Sequence, residues 1–247
     1  MRLFKRNSFG HILFLKRWVI RLVGILSYRR FRGINNLKIS GSEIIKTLPE
    51  NNVLFVSNHQ TYFADATAMY HVINASLKGR ENSIKNIGYI WWPKLNLYFV
   101  AAKETMKAGL LPKILAYAGS VSIERSWRSQ GKDVKRNVQS KDIDSVEKAL
   151  REGWVITFPQ GTTTPWKPIR KGTAHLIKKN KPIVVPVVID GFRRSFDKKG
   201  LFLKKKGVDQ LMRFKKPMKI DYENDSIDQI VKNIGVAIEQ DHSFLIN

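Results

Sequence analysis

From residue 52 onward, apolar runs of β-strand length alternate with stretches that have the apolar spacing of an amphipathic helix. The apolar runs are continuous, as in Val53-Leu54-Phe55-Val56, which is typical of strands buried on both faces. This pattern predicts an α/β fold, with a largely parallel sheet flanked by helices on both faces. The predicted strands cover residues 53–56, 98–102, 119–123, 154–158, 183–189 and 215–222, and the predicted helices cover residues 65–71 and beyond, 113–118, 142–151, 173–179 and 226–240, the last with Ser226 as its N-cap.

The first 32 residues contain nine lysines and arginines and no acidic residue. An apolar stretch covers residues 9–28, but Lys16, Arg17 and Arg21 interrupt it. Because a membrane-spanning helix needs about 20 mostly apolar residues, we expect no span in this segment.

A helical wheel places these three charges on one side, together with Gly24 and Tyr28, and aliphatic residues on the other. A basic amphipathic helix of this kind lies in a membrane interface, and a helix packed on the protein's own core is the alternative. The sequence therefore predicts a membrane-interfacial, basic amphipathic helical segment over residues 1–37 and an α/β domain over residues 38–247.

Charge distinguishes this chain from an average globular protein. The 44 Lys and Arg against 20 Asp and Glu give a formal net charge of +24, which predicts an anionic partner, either nucleic acid or a membrane surface. The chain has no cysteine, which excludes disulfides, thiolate metal sites, iron–sulfur clusters and a cysteine nucleophile. The charged stretches 126–139 and 192–206 are predicted to be flexible.

Polar side chains follow three of the predicted strands. His59, Arg125 and Gln160 each come just after one, and functional residues of such folds gather at the carboxyl ends of the strands. Asp65 is near enough to His59 for its carboxylate to accept a hydrogen bond from one ring nitrogen, which raises the basicity of the other. A purely structural His–Asp pair is the alternative at this point.

These residues lie in four motifs that together resemble the 1-acyl-glycerol-3-phosphate (lysophosphatidic acid) acyltransferase family. Asn58-His59 with the downstream Asp65 resembles the first motif. The second is matched by GSVSIER at residues 119–125, the third, F-P-E-G-T-R-S, resembles FPQGTTT at residues 158–164 followed by Lys171-Gly172, and the fourth resembles IVVPVV at residues 183–188.

The resemblance implies an enzyme of phospholipid biosynthesis that moves a fatty acyl group from acyl-ACP or acyl-CoA to a hydroxyl of lysophosphatidic acid. It implies His59 as general base and Asp65 as its orienting partner, with no metal and no cofactor besides the acyl donor. The implied partners are a membrane surface with anionic lipids, acyl carrier protein or CoA, and the lysolipid, and not nucleic acid. The implied place is the cytoplasmic face of the inner membrane, as a monotopic or peripheral protein. The residues implied in substrate binding are Asn58, Arg125, Gln160, Gly161, Thr162 and Lys171.

The sequence departs from the family in two motifs. The family has four residues between His and Asp, whereas residues 60–64 make five here, so the pair needs a bulge or a non-helical start of the following helix. In the third motif Gln160 replaces Glu and Thr163 replaces Arg, so the site loses a carboxylate and a guanidinium together. Lysophosphatidic acid is therefore the first candidate acceptor and an amino-acid lysolipid the second.

Two alternatives come from other classes. The net charge and the basic runs at residues 198–199 and 204–206 suggest a nucleic-acid-binding protein, but no helix-turn-helix, RNP or zinc pattern accompanies them. The extra residue in the first motif suggests a catalytically inactive, membrane-bound relative, whereas the intact His59 and Arg125 favour an active enzyme.

Overall fold

A computed structural model describes residues 5–107, 109–124, 128–129, 132–133 and 140–245 of the chain. Seven strands in these ranges form one sheet, and two short strands form a separate antiparallel pair. The strands are β1 (Asn36–Ser40), β2 (Val53–Ser57), β3 (Leu97–Ala102), β4 (Ser120–Ile123), β5 (Arg128–Ser129), β6 (Lys132–Asp133), β7 (Trp154–Thr157), β8 (Ile183–Asp190) and β9 (Asp209–Phe214).

The large sheet has the strand order β1-β9-β8-β2-β7-β3-β4. The five strands from β8 to β4 are parallel to one another, and β9 and β1 run in the opposite direction. The register pairs Val53 of β2 with Trp154 of β7 on one side and with Ile183 of β8 on the other. The segments that follow these three strands therefore emerge at the same edge of the sheet.

Helices cover both faces of the sheet, as expected from its continuous apolar strands. Phe55 of β2 packs on the face that contains Val72, and Leu54 packs on the opposite face with Ala149 and Ile234. The prediction of an α/β fold with a largely parallel sheet is confirmed. The helices are α1 (Leu13–Phe31), α2 (Ala64–Leu77), α3 (Lys103–Lys107), α4 (Leu110–Tyr117), α5 (Ser140–Glu152), α6 (Lys171–Asn180), α7 (Phe192–Ser195) and α8 (Ile227–Ala237), with 3₁₀ segments at Ser42–Thr47, Ile87–Trp91 and His242–Leu245.

The last strand and the first strand differ from the prediction. The predicted strand over residues 215–222 is wrong, because β9 ends at Phe214 and Pro217 has no amide proton to continue a ladder. The sequence pattern does not indicate β1, which pairs with β9. The predicted boundary between residues 37 and 38 consequently falls within a strand.

The predicted flexibility of residues 192–206 is also wrong. After α7, the Asp197 carboxylate accepts hydrogen bonds from the amides of Leu201 at 2.8 Å and Phe202 at 2.9 Å, which closes a loop over residues 196–203. The other stretch predicted to be flexible, residues 126–139, lies almost entirely outside the described residues.

Helix α1 packs on the domain through a side that is not purely apolar. This buried side consists of Lys16, Ile20, Gly24, Ser27 and Phe31, which recur at the spacing of a helical face. The wheel grouped Lys16 and Gly24 on the charged side of the helix, whereas both lie on the side that packs on the domain. The wheel could not decide which side packs, because apolar residues occur on both sides of this helix.

A chain of buried hydrogen bonds attaches α1 to the rest of the domain. The Ser27 hydroxyl lies 2.7 Å from the Val23 carbonyl, to which it donates, and 2.9 Å from Nε2 of His71. Nδ1 of His71 lies 2.8 Å from the Tyr89 hydroxyl. Burial lowers the pKa of His71 to about 4, so the imidazole is neutral and each of its two nitrogens has a partner.

The outward side of α1 is apolar and continues onto the 3₁₀ segment that ends at Trp91. Arg21 lies between the two, with its guanidinium 5.0 Å from the Trp18 ring and 5.1 Å from the Trp91 ring. In the described part of the chain, no helix has both the length and the hydropathy of a membrane span. We call this exposed region the apolar surface; it consists of Phe14, Leu15, Trp18, Leu22, Ile25, Leu26, Trp91 and Trp92.

Lys16 makes the folding free energy depend on pH. Its Nζ is buried without a hydrogen-bond partner among the described residues and lies 4.4 Å from the centre of the Tyr98 ring. Burial lowers the pKa of Lys16 to about 7, although Glu152 acts to raise it. The unfolded chain therefore binds more protons than the folded chain from about pH 7 up to the ordinary lysine pKa of about 10.4.

We predict that Lys16→Met stabilises the protein at pH 7 and removes this dependence. The free energy of unfolding of the wild type should rise relative to that of the variant between pH 7 and pH 9, by at most about 1.4 kcal/mol per pH unit. Urea unfolding at pH 7 and pH 9 measures the free energy of unfolding of both proteins. Lys113→Met, at an exposed position on α4, is the control. A constant difference between wild type and variant would contradict the prediction.

Candidate functional site

The loop between β2 and α2 carries the His–Asp pair. Nδ1 of His59 lies 2.8 Å from Oδ2 of Asp65, whose side chain is fully buried. The same Oδ2 accepts hydrogen bonds from the amides of Gln60 at 2.6 Å and Thr61 at 3.0 Å, and Oδ1 accepts one from the Thr61 hydroxyl at 2.7 Å. These bonds fix the orientation of the carboxylate and hence of the imidazole.

The extra residue of the first motif is accommodated before the helix begins. Residues 60–63 are not helical, and α2 starts at Ala64, so Asp65 lies in its first turn. A carboxylate in a first turn is also favoured by the helix dipole. The non-helical start that the longer spacing requires is thus present, and the pair forms despite the added residue.

The imidazole of His59 is held on its other side by the third motif. Its ring stacks on Phe158 with 3.9 Å between ring centres and 18° between planes. Among the described residues, none forms a hydrogen bond with Nε2, and about 13% of the His59 side chain is exposed. Because Nδ1 is bonded to a carboxylate, Nε2 carries the lone pair and can accept a proton.

Asn58 joins the β2–α2 loop to β8. Its Nδ2 donates to the Ile189 carbonyl at 2.8 Å, and its Oδ1 accepts from the Ile189 amide at 2.8 Å. Both polar atoms of this buried side chain are therefore used in positioning the loop. Its implied part in substrate binding stays a prediction.

Gln160 of the third motif is also buried. Its Nε2 donates to the Lys167 carbonyl at 2.8 Å and lies 3.2 Å from Oε1 of Gln240, beyond the end of α8. These contacts hold the loop after β7 against the last helix. A hydrogen bond from Gln160 to a glycerol hydroxyl stays a prediction.

The next two residues of the third motif form a tight turn. Gly161 has φ +65°, a left-handed conformation that favours glycine, and its amide donates to the Phe158 carbonyl at 2.9 Å. The hydroxyls of Thr162 and Thr164 lie 3.3 Å apart and are partly accessible. The turn thus presents backbone and hydroxyl groups beside the ring that stacks on His59.

A second connection runs from the β2–α2 loop to α7. Oε1 of Gln60 accepts a hydrogen bond from the Arg193 amide at 3.1 Å, and Nε2 of Gln60 donates to the Ile189 carbonyl at 3.2 Å. The guanidinium of Arg193 donates in turn to the Thr163 carbonyl. The first motif, the third motif and α7 therefore form one connected group around His59.

Of the two predicted cations, Arg125 lies outside the described residues. Lys171, at the start of α6, forms an exposed ion pair with Asp228 at 2.7 Å. Within the described ranges, no group of three or more His, Asp and Glu side chains could hold a metal ion.

The 196–203 loop holds the β2–α2 loop from outside. The carbonyls of Lys198 and Lys199 accept hydrogen bonds from the amides of Tyr62 at 3.1 Å and Phe63 at 3.0 Å. Gly200 lies directly against the same segment with φ +75°. The basic run at residues 198–199 therefore has a structural role through its backbone.

Three contributors to the site, Gln60, Arg193 and Gly200, are not among the predicted site residues. Gln60 could have been found from its place next to His59. Nothing in the sequence pairs Arg193 with Thr163, which lies 30 residues away, or Gly200 with the β2–α2 loop. Contacts of this kind depend on which strand ends meet.

Comparison with known proteins gives three findings. The Acyltransferase family model matches residues 36–190. A protein of Saccharomyces cerevisiae named 1-acyl-sn-glycerol-3-phosphate acyltransferase is 27% identical over 164 residues, which are 55% of this chain and 51% of that protein. This chain therefore spans about half the length of that curated relative. The crystal structure of the 1-acyl-sn-glycerophosphate (LPA) acyltransferase PlsC from Thermotoga maritima superposes with a TM-score of 0.56 at 17% identity, over 91% of this chain and 78% of that one, and shows the same fold.

We predict that Gly200→Ala destabilises the protein more than Gly207→Ala does. Both glycines have positive φ, +75° and +68°, so both variants carry the backbone strain, about 1–2 kcal/mol. Only at residue 200 would the added Cβ lie 2.6 Å from the Ala64 amide nitrogen, whereas at residue 207 no atom lies within 4 Å. Thermal unfolding of both variants measures the difference, and equal losses would show that the two loops do not depend on this contact.

Proposed function

This chain belongs to the Acyltransferase family, and on that premise we propose that it moves a fatty acyl group from a thioester to a hydroxyl of a lysolipid. The donor in this proposal is acyl-ACP or acyl-CoA, and the reaction belongs to phospholipid biosynthesis. The observation that carries the proposal is the His59–Asp65 pair, with Nδ1 bonded to a buried carboxylate and Nε2 available to accept a proton.

In this reaction His59 acts as the general base. Nε2 takes the proton of the acceptor hydroxyl while the oxygen attacks the thioester carbonyl carbon. The new C–O bond forms, the C–S bond breaks, and the proton passes from Nε2 to the departing sulfur. Asp65 stabilises the imidazolium that forms between these two steps, as a carboxylate on Nδ1 does.

We propose lysophosphatidic acid as the acceptor and an amino-acid lysolipid as the second candidate. The name of the yeast relative supports the first, and so does the net charge of +24, which suits an anionic substrate. Gln160 and Thr163, in place of an acid and a guanidinium, favour the second, since neutral side chains can pair with an amide.

We further propose that the apolar surface rests in the headgroup region of a membrane, with the protein monotopic or peripheral on the cytoplasmic face of the inner membrane. Exposed Trp and Leu side chains beside arginines suit that environment. The acceptor is a lipid, so attachment of this kind places the enzyme where its substrate is.

We predict that His59→Ala lowers the turnover of lysophosphatidic acid by about 10²–10⁴-fold, the usual contribution of a general base. Asp65→Asn should cost less, because it removes orientation and charge but leaves the base. Mass spectrometry of the products from purified protein, acyl-CoA or acyl-ACP, and an equimolar mixture of lysophosphatidic acid and an amino-acid lysolipid measures turnover and acceptor together.

The control for this experiment is His175→Ala, an exposed histidine on α6, which should leave turnover unchanged. The His59→Ala and His175→Ala variants should keep the wild-type melting temperature within a few degrees. A His59→Ala protein with a third of wild-type turnover would exclude His59 as the base. Faster consumption of the amino-acid lysolipid by the wild type would make it the acceptor instead.

We predict that the double variant Trp91→Gln/Trp92→Gln binds anionic liposomes at least about tenfold more weakly, because burying one large apolar side chain contributes about 1.5–3 kcal/mol. Wild-type binding should weaken in high salt without vanishing, since apolar burial is not screened. Sedimentation with liposomes measures the fraction of each protein that is bound. Ile143→Gln, exposed on α5 over the other face of the sheet, is the control, and equal binding of all three proteins would place the attachment elsewhere.

A further inference from the structure

The third motif of this chain lacks the guanidinium that the family motif carries at its sixth position. Thr163 stands there, with its side chain buried. In the folded chain an arginine from another element reaches the same residue, because the guanidinium of Arg193 on α7 donates to the Thr163 carbonyl. A guanidinium therefore lies beside the third motif, supplied by a residue 30 positions further along the chain.

We propose that Arg193 binds the phosphate monoester of the acceptor lysolipid and so takes the place of the absent motif arginine. This inference rests on the proposed function. It assigns a residue outside the four motifs to recognition of the acceptor head group.

The position of Arg193 is fixed relative to the base. Its amide donates to Oε1 of Gln60 at 3.1 Å, and the Gln60 amide donates to the same Asp65 oxygen that binds His59. On the other side, Thr163 belongs to the loop whose Phe158 stacks on His59. Arg193 thus lies on the rim of the site. Three hydrogen bonds link it to His59 through Gln60 and Asp65, and its bond to Thr163 and the stacking of Phe158 on His59 link it on the other side.

The guanidinium of Arg193 also has donors to offer. A guanidinium has five N–H groups in a rigid fork, and it binds phosphate through two of them at once. Within the described residues, the one side-chain bond of Arg193 goes to the Thr163 carbonyl, and the residue is exposed. The carbonyl orients the fork without neutralising its charge.

Two other cations, the next residue Arg194 and the predicted binding residue Lys171, are already paired with carboxylates. Arg194, the next residue, forms an ion pair with Asp190 at 2.8 Å, and Lys171 forms one with Asp228 at 2.7 Å. Burial acts to raise the pKa of Asp190, but hydrogen bonds from Arg194, the Gly191 amide and Gln60 lower it below its usual value, so Asp190 is ionised and balances the charge of Arg194. Arg193 has a carbonyl as its partner and keeps its full charge for an anion.

The test compares Arg193→Gln with Arg194→Gln, two exposed neighbours that lose the same charge. Arg193→Gln should raise KM for lysophosphatidic acid at least tenfold while kcat stays within about twofold of the wild type, because it removes a binding contact and leaves the base. Arg193→Lys keeps the charge but not the two-pronged hydrogen-bonding geometry, so its KM for lysophosphatidic acid should lie between those of the wild type and Arg193→Gln. Arg194→Gln should match the wild type, since an exposed ion pair contributes little. Equal KM values for the two glutamine variants would overturn the proposal.

Two further measurements are needed. One distinguishes the phosphate of the acceptor from the phosphates of acyl-CoA, and the other distinguishes failure of this proposal from failure of the proposed function. KM for acyl-CoA, measured at saturating acceptor, should not change in Arg193→Gln; a rise there with an unchanged acceptor KM would assign Arg193 to the donor and overturn the proposal. Binding of glycerol 3-phosphate, followed by calorimetry, should weaken at least tenfold in Arg193→Gln and not in Arg194→Gln. That binding needs no turnover, so it tests the anion site even if the wild type acylates no lysolipid, a result that would reject the proposed function alone.

Discussion

The buried carboxylate of Asp65 is the constraint on which the site depends. A carboxylate without solvent is costly unless donors surround it, and here the donors come from the residues just before the helix. Those residues must leave the helical conformation to point their amides inward, so α2 begins only at Ala64. The resulting loop leaves the amides of Tyr62 and Phe63 without helical partners, and the 196–203 loop satisfies them through its carbonyls.

The parallel register explains why distant motifs meet at His59. Because β2 lies between β7 and β8, the segments after these strands emerge side by side. Asn58 then bonds to the backbone of Ile189 on β8, and Phe158 beyond β7 stacks on the imidazole. His59 is thus positioned by the two strands that flank β2, and both contacts are made at the strand ends.

Much of this arrangement could be predicted from the sequence, and the remainder has a physical reason for being missed. The continuous apolar strands and the His59–Asp65 pair each involve residues that are close together in the sequence. The fold class and the pair can therefore be predicted from the sequence. The buried side of α1, with Lys16 over Tyr98, depends on a neighbour far away in sequence. Periodicity cannot encode such contacts, because several packings satisfy one pattern. The bond from Arg193 to the third motif is of the same kind.

Helix α2 links the two functions proposed for the protein. Its first turn holds Asp65, and His71 further along bonds to Ser27 of α1, the helix that carries most of the apolar surface. His71 comes six residues after Asp65, which is a rise of about 9 Å along the helix axis. A helix with satisfied backbone bonds does not bend appreciably over that length. The surface proposed to meet the membrane and the proposed base are therefore joined by one rigid element rather than by a linker, so the depth and tilt of α1 in a bilayer would determine where the His59 imidazole lies relative to the lipid headgroups.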